Sequence, residues 1–587
     1  MAAVDTTRAQ DPVWRARVPA ASAWLLRLIG LLVLAQSLAP ISAHHRDDVL
    51  GVLSFSGLPV PGTATAGLLF LLLAGGLAAR KRAAWRGLVG LLVFDALLLA
   101  PGAALDAATP ETSAVEAWAW WGGHAVISVV LLFVVIGARG QFIARTGARG
   151  TWRAIGILGG SLGLAFGLGW GLLALVGHRH HGGQQSMLFL LDRVLHTGDT
   201  VPHGPPYWIR LLLGLIGALI VLVATYVWLR PARLDRRLSS HEEQRLRDLL
   251  DRAGGQDSLG YFALRRDKTT IFSPSGKAAV CYRVLGGVSL AAGDPIGDPE
   301  AWPGAITAWL EQARAHAWTP AVLGASERGA IAYQRAGLRA LNIGDEAVVA
   351  TAEFSLDGRQ MRTVRQAVGR IRRSGHTVRV RRLGQIPHDE LAVAASRADG
   401  WRDGPVERGY SMALGRLGDP ADADYVVVEC YDGAGELRGL LGFVPWGPDG
   451  LSLDLMRRDR ASTDNGLMEF MICELVARCA DLGVVRLSLN FAMFRYVFAR
   501  GDRIGAGPAL RCWLTILRFA SRWWQLESLY RANEKYRPTW VPRFICYERA
   551  RDLVRVACAA GAAEGFITMG RRPEPATPIE RELAGAR

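Results

Sequence analysis

The sequence predicts a polytopic α-helical membrane domain followed by an α/β domain that is built from two similar units. Apolar stretches long enough to cross a bilayer, which takes roughly 20 residues, occur only in the first 229 residues. Beyond Leu238 the composition becomes that of a globular protein, and strand-like runs alternate with helix-like runs in two successive rounds. We therefore predict domains at 1–235, 236–357 and 358–565, with a disordered tail at 566–587.

The overall composition supports the membrane assignment and argues against disorder. Of 587 residues, 50% are hydrophobic and 21% are charged, and the mean hydropathy is +0.17, whereas disordered chains combine low hydropathy with many charges. The formal net charge is +15, and arginine supplies nearly all of the base, because lysine occurs only at Lys81, Lys268, Lys277 and Lys535. The 7 cysteines show no C-x-x-C spacing, so we expect no disulfide framework, no metal site and no cofactor.

Six apolar stretches predict six membrane spans, at 21–42, 61–79, 87–105, 115–137, 154–177 and 208–229. Arginines gather in the N-terminal segment, the second and fourth loops and the exit from the last span, while the other loops carry mostly acidic residues. By the positive-inside rule, this alternation places both termini in the cytoplasm and the chain in the plasma membrane of a bacterial cell. Asp95 falls inside the third stretch, where a charge is costly. It is either functional or a protonated or Ser/Thr-bonded carboxyl within the bundle.

The α/β part begins with a helix over Ser240–Arg252, in which Ser240 and Glu243 form a capping-box pattern. The first round then has predicted strands at 278–284, 321–323 and 347–350, and helices at 301–316 and 327–336. Asp298 is predicted to cap the first of these helices. The second round has predicted helices at 360–374, 388–399 and 466–481, and strands at 376–382, 425–431, 437–444, 450–455 and 484–490.

An arginine-rich helix and strand form the first candidate binding surface. Ten arginines lie between Arg359 and Arg397, and the densest run is 362–382. Such clustering on one helix and the next strand is suited to contacts with a phosphate backbone. Aromatic residues are missing from the run, so recognition of RNA shape is favoured over base stacking. The alternative is a surface that reflects only an arginine-biased composition. The candidate ligands of phosphate are Arg365, Arg370, Arg372 and Arg373.

Two further segments combine opposite charges at the ends of predicted elements. In the first, Asp454 and Arg457 lie three residues apart at the end of a strand, ahead of a helix that carries Glu469. In the second, Lys535 and Arg543 lie in an aromatic, basic stretch that runs from Trp523. With four lysines in the whole chain, a lysine at this position is notable. The alternative for Asp454 and Arg457 is an ion pair that braces the strand end.

These segments resemble a known family. Residues from about 245 to 555 are similar to the C-terminal catalytic region of bacterial phosphatidylglycerol lysyltransferases, the multiple peptide resistance factor family. The motifs that carry the resemblance are Gly293–Pro299 (GDPIGDP), Gly344–Ala347 (GDEA), Val364–Arg370 (VRQAVGR), Asp454–Arg458 (DLMRR), Ser488–Ala492 (SLNFA) and the 527–543 segment. The N-terminal spans and the stretches at 490–508 and 523–544 look most similar to the mycobacterial-type enzyme, in which this region is fused to a lysyl-tRNA synthetase.

The resemblance implies a tandem GNAT-like acyltransferase domain, in which the second unit is catalytic. It implies transfer of an aminoacyl group, lysyl by expectation, from aminoacyl-tRNA to the glycerol hydroxyl of phosphatidylglycerol at the cytoplasmic face of the bilayer. The product would be a cationic lipid that confers resistance to cationic peptides. Because the sequence ends at Arg587, we expect a separate synthetase to supply the charged tRNA. The sequence leaves the amino acid and the formation of a homo-oligomer open.

By motif match, the resemblance assigns roles to the two charged segments. Asp454 would bind the donor's amino group or assist proton transfer, and Arg457 would hold phosphate or ester oxygens. Lys535 would neutralise the lipid phosphate or the 3′ end of the tRNA, and Arg543 would share that role. Glu469 would contribute to substrate binding.

Two other interpretations remain open at this stage. A membrane-anchored acyltransferase with an acyl-CoA donor would need a pyrophosphate loop, and only the R-x-G-x-G pattern at Arg503–Gly507 resembles one. A lipid-binding or lipid-flipping protein with a degenerate transferase domain is favoured by Ala499, because relatives tend to carry Glu there. Asp502 is the residue that would substitute for that Glu.

Overall fold

The structure, a computed structural model, describes residues 13–38, 58, 64–107, 114–144, 207–229, 237–402, 409–461, 464–493 and 531–566, with some backbone positions between 152 and 168. The chain divides into two compact units. The first comprises Met1–Arg233, and the second comprises nearly all of Leu234–Arg587.

The first unit is helical in every described segment longer than one residue. Its helices are α1 (Val13–Leu38), α2 (Ala64–Ala78), α3 (Arg82–Ala107), α4 (Ala114–Gly137) and α5 (Tyr207–Leu229). Stretches within α1, α3 and α4 are long and apolar enough to cross a membrane. The apolar segments of α2 and of α5 (Ala218–Leu229) are shorter. These helices lie in five of the six predicted spans. The predicted span at 154–177 falls largely outside the described residues, so the count of six spans and the cytoplasmic termini stay predictions.

Asp95 has hydrogen-bond partners on the neighbouring helix. Its Oδ2 atom lies 2.9 Å from Nε2 of His124 and accepts a hydrogen bond of 2.8 Å from Oγ of Ser128. All three side chains are buried between α3 and α4. Asp95 is thus a Ser-bonded carboxyl within the bundle, as the second alternative expected, and a functional role for it stays a prediction.

The second unit is built on one continuous sheet of twelve described strands. The strands of its first half are β1 (Thr269–Phe272), β2 (Ala278–Leu285), β3 (Val288–Ala292), β4 (Ile296–Gly297), β5 (Thr319–Ala325) and β6 (Arg339–Ala350). Those of its second half are β7 (Thr377–Arg382), β8 (Val426–Tyr431), β9 (Leu437–Trp446), β10 (Gly450–Arg458), β11 (Arg486–Met493) and β12 (Thr539–Tyr547). Helices α6 (Ser240–Ala253), α7 (Trp302–Ala315), α8 (Glu327–Arg335), α9 (Arg362–Arg373), α10 (His388–Gly400), α11 (Leu467–Arg478) and α12 (Leu553–Ala563) pack on its two faces.

The strand order is symmetric about its centre. It runs β1-β2-β3-β5-β12-β6-β11-β10-β9-β8-β7, with β4 paired to β2 at the side. Pairing is parallel only between β3 and β5 and between β10 and β11, one pair in each half. The last strand of each half crosses over, because β6 pairs with β11 and β12 pairs with β5. The two halves thus share a topology and are joined by exchanged strands. This confirms the predicted fold class, a helical membrane domain followed by a tandem GNAT-like domain.

Most predicted elements lie within a few residues of their observed ends. The predicted capping box is wrong by one residue, since Ser239 caps α6 and Glu242 completes the box. Asp298 does cap the turn that leads into α7, by accepting a hydrogen bond from the backbone N–H of Glu300. The predicted boundary at 357/358 stays a prediction, because strands exchanged across it keep the sheet continuous. The predicted tail lies outside the described residues except for Phe566.

Candidate functional site

The parallel strands β10 and β11 separate in the middle of the second half. They pair only from Gly450 and Arg486 to Ser452 and Ser488, and each strand then continues without the other. Just beyond that point β10 has a bulge, because Leu453 pairs with Phe443 and Leu455 pairs with Gly442. Asp454 is the extra residue. A bulge of this kind redirects side chains and ends regular pairing. The two strands therefore diverge beside Asp454, and we call this opening between their described residues the cleft.

The carboxylate of Asp454 is held by two donors. Its Oδ1 atom accepts a hydrogen bond of 2.5 Å from the backbone N–H of Leu414, and its Oδ2 atom accepts one of 2.7 Å from the hydroxyl of Tyr425. Gly442 makes room for that hydroxyl, since a Cβ atom there would lie 1.9 Å from Oη of Tyr425. Both donors belong to the 409–425 segment, so this segment orients Asp454.

The 409–425 segment is itself fixed by buried ionic contacts. Arg265 is 1% exposed, and its Nη1 atom donates to the carbonyl oxygens of Gly409 and Ala413 at 2.6 and 2.9 Å. The Ala413 carbonyl belongs to the same peptide group as the N–H that Asp454 accepts. Further along, Arg416 donates to both oxygens of Asp422 at 2.7 and 3.0 Å. Although burial acts to raise the pKa of Asp422, Arg416 and its other cationic neighbours hold it below the ordinary value. The position of Asp454 therefore depends on several buried charges.

The bulge also explains how Arg457 shares a side of the sheet with Asp454. In a regular strand, residues three apart face opposite sides. Here Leu453 packs into the core beside α9 and α11, while Leu455 packs against the opposite core together with Tyr425. Because Asp454 bonds to Tyr425, it faces that second side as well, and alternation beyond Leu455 returns Arg457 to it.

Lys535 and Glu469 form an ion pair on the other side of the sheet. Nζ of Lys535 lies 2.8 Å from Oε1 of Glu469, and the two side chains are 43% and 18% exposed. Glu469 is in the first turn of α11, which follows β10. The segment that carries Lys535 is anchored at the cleft, because Nδ2 of Asn533 donates to the carbonyl of Leu489 on β11 at 3.2 Å. Two of the predicted residues are thus in direct contact.

The predicted arginines lie on the exposed side of α9, next to the start of α11. Arg370 donates to the carbonyl of Asn465 at 2.5 Å, immediately before α11. Arg372 pairs with Glu474 at 2.6 Å and is 65% exposed. Arg365 donates to the carbonyl of Leu356 at 2.5 Å. Arg373 is exposed as well. The structure therefore brings a cationic surface to the same end of α11 as Lys535 and Glu469.

Arg543 is buried at the centre of the sheet. It is 2% exposed, and its five N–H groups make five hydrogen bonds in the structure. The acceptors are Oδ1 of Asp257 at 2.7 Å, Oγ of Ser258 at 2.7 Å, the carbonyl of Gly324 at 3.2 Å and Oε2 of Glu346 twice, once at 3.0 Å. Burial acts to raise the pKa of Glu346, yet Arg543 holds it below its ordinary value. Every N–H donor of Arg543 is thus hydrogen-bonded within the protein. The predicted role of Arg543 in binding a substrate stays a prediction.

The first half has an aspartate at the equivalent position. Asp294 lies two residues beyond the end of β3, as Asp454 lies two residues beyond the last pair of β10 and β11. Its carboxylate accepts hydrogen bonds from the backbone N–H and the hydroxyl of Ser326 at 2.8 and 2.5 Å, at the start of α8. Burial, with Asp257 as the second cause, raises the pKa of Asp294 to about 7. The two aspartates therefore have different partners: Asp294 bonds to the start of α8, and Asp454 bonds to the 409–425 segment.

Sequence reasoning missed the residues that hold Asp454 and those that line the cleft. Tyr425 and Arg265 carried no recognisable signal, because their roles depend on contacts between distant segments. Asn490 lies in the Ser488–Ala492 motif, but the motif alone gave it no role. Ala499 and the Arg503–Gly507 pattern lie outside the described residues. Among the residues that the structure describes, no three His, Cys, Asp or Glu side chains gather in a way that could hold a metal ion.

The fold and this cleft define the class of the protein. The second unit is a sheet of two GNAT-like halves, each with one parallel pair of strands, and apolar helices precede it in the sequence. Residues 247–547 match the family described as phosphatidylglycerol lysyltransferase, C-terminal. Residues 14–229 match the family described as transmembrane region of lysyl-tRNA synthetase. The chain belongs to the phosphatidylglycerol lysyltransferase family.

Curated relatives agree with the family. The lysylphosphatidylglycerol biosynthesis bifunctional protein LysX of Rhodococcus opacus is 46% identical over 565 residues, which cover 94% of this chain and 49% of that protein. LysX of Nocardia farcinica is 48% identical over 508 residues, which cover 86% of this chain and 44% of that protein. The chain thus spans about half the length of the curated relatives it matches. Among solved structures, L-PGS from Bacillus licheniformis is 19% identical, with a TM-score of 0.49, and the match covers 58% of this chain and 100% of that one.

Proposed function

We propose that this protein transfers a lysyl group from lysyl-tRNA to the glycerol hydroxyl of phosphatidylglycerol at the cytoplasmic face of the bacterial plasma membrane. Membership of the phosphatidylglycerol lysyltransferase family supports the reaction. The apolar helices of the first unit support attachment to a bilayer that contains the acceptor lipid. The reaction is a transesterification that needs no redox chemistry, and both substrates are anionic, which suits a chain of net charge +15.

One observation carries the proposal: oppositely charged side chains lie on β10, or on segments bonded to β11, close to where these two strands separate. Asp454 is the bulged residue at that point. Lys535 pairs with Glu469 and is tied to β11 through Asn533. An ester exchange needs a group that handles the proton of the lipid hydroxyl, a positive group for the developing oxyanion and a negative group for the donor's ammonium. Asp454 and Arg457 lie on one side of the sheet and the Lys535–Glu469 pair on the other, so we propose that substrates bound where the strands separate reach both pairs.

In the reaction, the lipid hydroxyl oxygen attacks the ester carbonyl carbon of lysyl-tRNA. A new C–O bond forms, the bond from that carbon to the ribose oxygen breaks, and the proton of the lipid hydroxyl moves to the ribose oxygen. We assign the handling of this proton to Asp454, which Tyr425 and the backbone N–H of Leu414 hold in place. We propose that Arg457 stabilises the negative charge of the tetrahedral intermediate or of the lipid phosphate.

The remaining predicted residues would bind the substrates. Glu469 would receive an ammonium group of the lysyl donor, and in the structure the ammonium of Lys535 is already placed against it. Lys535 would then be released toward a phosphate. The exposed arginines of α9, Arg370 and Arg372 among them, would contact the tRNA backbone. Arg543 would position the central strands instead of touching a substrate, because all its donors are engaged within the protein.

The test uses the full chain in micelles of phosphatidylglycerol. Radiolabelled Lys-tRNA and Ala-tRNA are offered in turn, with and without RNase, and the organic phase is counted. We expect RNase-sensitive label in lipid from Lys-tRNA. Folded protein that gives no labelled lipid from either tRNA would overturn the proposal. Label transferred from an acyl-CoA would then support the other acyltransferase interpretation.

Paired substitutions test the site residues. Asp454→Asn and Lys535→Ala are expected to reduce labelled lipid by at least tenfold, because each removes a charge at the cleft. The matched controls are Asp481→Asn and Lys277→Ala, which change exposed residues elsewhere in the same unit. Full activity in both cleft variants would contradict the assignment of these residues while leaving the family reaction intact.

A further inference from the structure

Asn490 lies where both parallel strands lose their regular pairing. On β10 the bulge is at Asp454. On β11 a second irregularity follows Ser488, because Leu489 and Asn490 together face the single residue Ala347 of β6. Asn490 has a φ of +68°, a conformation that non-glycine residues adopt at a cost and that is common at functional sites. Two neighbouring strands thus deform at the same level, and Asn490 is at the centre of one deformation.

The side chain of Asn490 crosses the opening. Its Nδ2 atom donates to the carbonyl oxygen of Leu453 at 2.7 Å, and that carbonyl belongs to the peptide group that precedes Asp454. The backbone N–H of Asn490 lies 3.3 Å from Oγ of Ser488, which accepts from it. The contact with Leu453 sets the orientation of the amide, because a flipped amide would place two oxygen atoms against each other. The amide oxygen must therefore point away from Leu453.

That oxygen is an acceptor without a donor. Oδ1 of Asn490 is buried, and no hydrogen-bond partner reaches it among the residues that the structure describes. Oγ of Ser452, which ends the paired part of β10, is also buried and without a partner there. Buried polar atoms nearly always have partners, so each exception needs an explanation. A substrate that supplies an N–H or O–H group beside Asp454 would satisfy Oδ1 of Asn490.

We propose that Asn490 is a positioning residue that accepts a hydrogen bond from the reacting part of a substrate, next to Asp454. This inference rests on the proposed function. The ligand chemistry is an N–H or O–H donor, which comes either from the amino group of the lysyl ester or from the attacking hydroxyl of the lipid. In the first case Asn490 orients the donor ester, and in the second it orients the acceptor lipid.

The test compares three variants of the full-length protein. Asn490→Gly removes the amide but retains a backbone that adopts positive φ readily. Asn490→Asp keeps an acceptor oxygen at the same position, and Asn490→Ala removes it. The matched control is Asn342→Ala, because Asn342 is exposed and its amide makes only a local contact of 3.4 Å with the carbonyl of Gly344. Steady-state rates are measured while Lys-tRNA and phosphatidylglycerol are varied in turn.

We expect Asn490→Gly and Asn490→Ala to lower kcat/KM about 10-fold, since one hydrogen bond to a substrate is lost. Asn490→Asp is expected to lower kcat/KM as well, because its second oxygen would face the carbonyl of Leu453 where Nδ2 donates in the wild type. A KM that rises only for Lys-tRNA identifies the amino group as the ligand, and a rise only for phosphatidylglycerol identifies the hydroxyl. Wild-type kinetics in Asn490→Gly would overturn the proposal.

A binding measurement separates this inference from the proposed function. Lysine amide and a short-chain phosphatidylglycerol are titrated into the wild type and Asn490→Gly, and affinities are compared by calorimetry. We expect the variant to bind one of the two probes several-fold more weakly. If the wild type transfers no lysyl group, the proposed function fails. The role of Asn490 as an acceptor is tested separately by the difference in probe affinity between the wild type and Asn490→Gly. Equal affinities for both probes would refute that role.

Discussion

Replacement of Arg543 by methionine should destabilise the α/β unit strongly. Methionine keeps an apolar stem of similar length but removes the guanidinium, which makes five hydrogen bonds and two ion pairs at 2% exposure. The carboxylates of Asp257 and Glu346 would remain buried without their cation. Removal of one partner of a buried ion pair costs about 3–5 kcal/mol. At roughly 2 °C of unfolding temperature per kcal/mol in a large domain, the expected loss is roughly 6–10 °C.

The pH dependence of this loss follows from Glu346. In the wild type its pKa is below the ordinary value of 4.5, so its contribution to stability is present above that value and is lost as the pH falls through the lowered pKa. Without Arg543 the same burial would raise the pKa, and ionised Glu346 would destabilise the fold. The deficit of Arg543→Met should therefore be smaller at pH 5 than at pH 8. The double variant Arg543→Met/Glu346→Gln should recover part of it.

The assay is thermal unfolding of the full chain in detergent, followed by the fluorescence of its 19 tryptophans. Arg555→Met is the control, since Arg555 is exposed and bonds chiefly to the carbonyl of Gly286. The reasoning would be refuted if Arg543→Met unfolded at the wild-type temperature while KM for Lys-tRNA or phosphatidylglycerol increased. That result would make Arg543 a substrate ligand.

Three further predictions concern separate parts of the α/β unit. Because the pKa of Asp294 is raised from 3.8 to about 7, its ionisation lowers stability as the pH rises between those values, and Asp294→Asn should flatten the unfolding temperature over that range. Tyr425→Phe should lower kcat with little change in unfolding temperature. Gly442→Ala should instead cost about 1–3 kcal/mol of stability, because its Cβ atom would overpack against Tyr425. Equal unfolding temperatures for the two variants would contradict this prediction. Arg370→Gln and Arg372→Gln should each reduce the salt dependence of tRNA binding, measured by filter binding in increasing KCl, by about 0.7–0.9 in log–log slope, and an unchanged slope would remove these arginines from the tRNA site.

Periodicity alone predicted most of the elements that surround the cleft. The helix α11 shows why: its apolar residues recur at helical spacing, and Met471, Ile472, Leu475 and Val476 are buried as that pattern requires. The strands at 426–431 and 437–446 are mostly apolar, with Glu429 and Arg438 as the charged exceptions, as expected of a sheet covered on both faces. Local signals were sufficient here because each element is recognised by its own residues.

Contacts between distant segments could not be predicted in this way. The pairing of β12 with β5 and β6 joins residues about 200 positions apart, and no local pattern encodes such a partner. In the sequence, Arg543 cannot be distinguished from the other arginines of a basic segment. Only the strand exchange brings Asp257 and Glu346 into contact with it. Asp454 and Arg457 share a side only because of a bulge, and a regular strand would have placed them on opposite sides.

The symmetry of the sheet allows the two halves to be compared at equivalent positions. Both halves place an aspartate two residues beyond the end of a parallel pair. In the first half Asp294 bonds to Ser326 and lies so close to α8 that a Cβ atom on Gly329 would be 1.8 Å from Oδ1. In the second half Asp454 turns to the 409–425 segment instead, and β10 and β11 stay apart. In the described residues the two halves thus differ in the contacts of one aspartate: the first half bonds it to the start of the following helix, and the second half bonds it to a segment elsewhere in the chain. In the function proposed above, the second half is the one that binds the substrates.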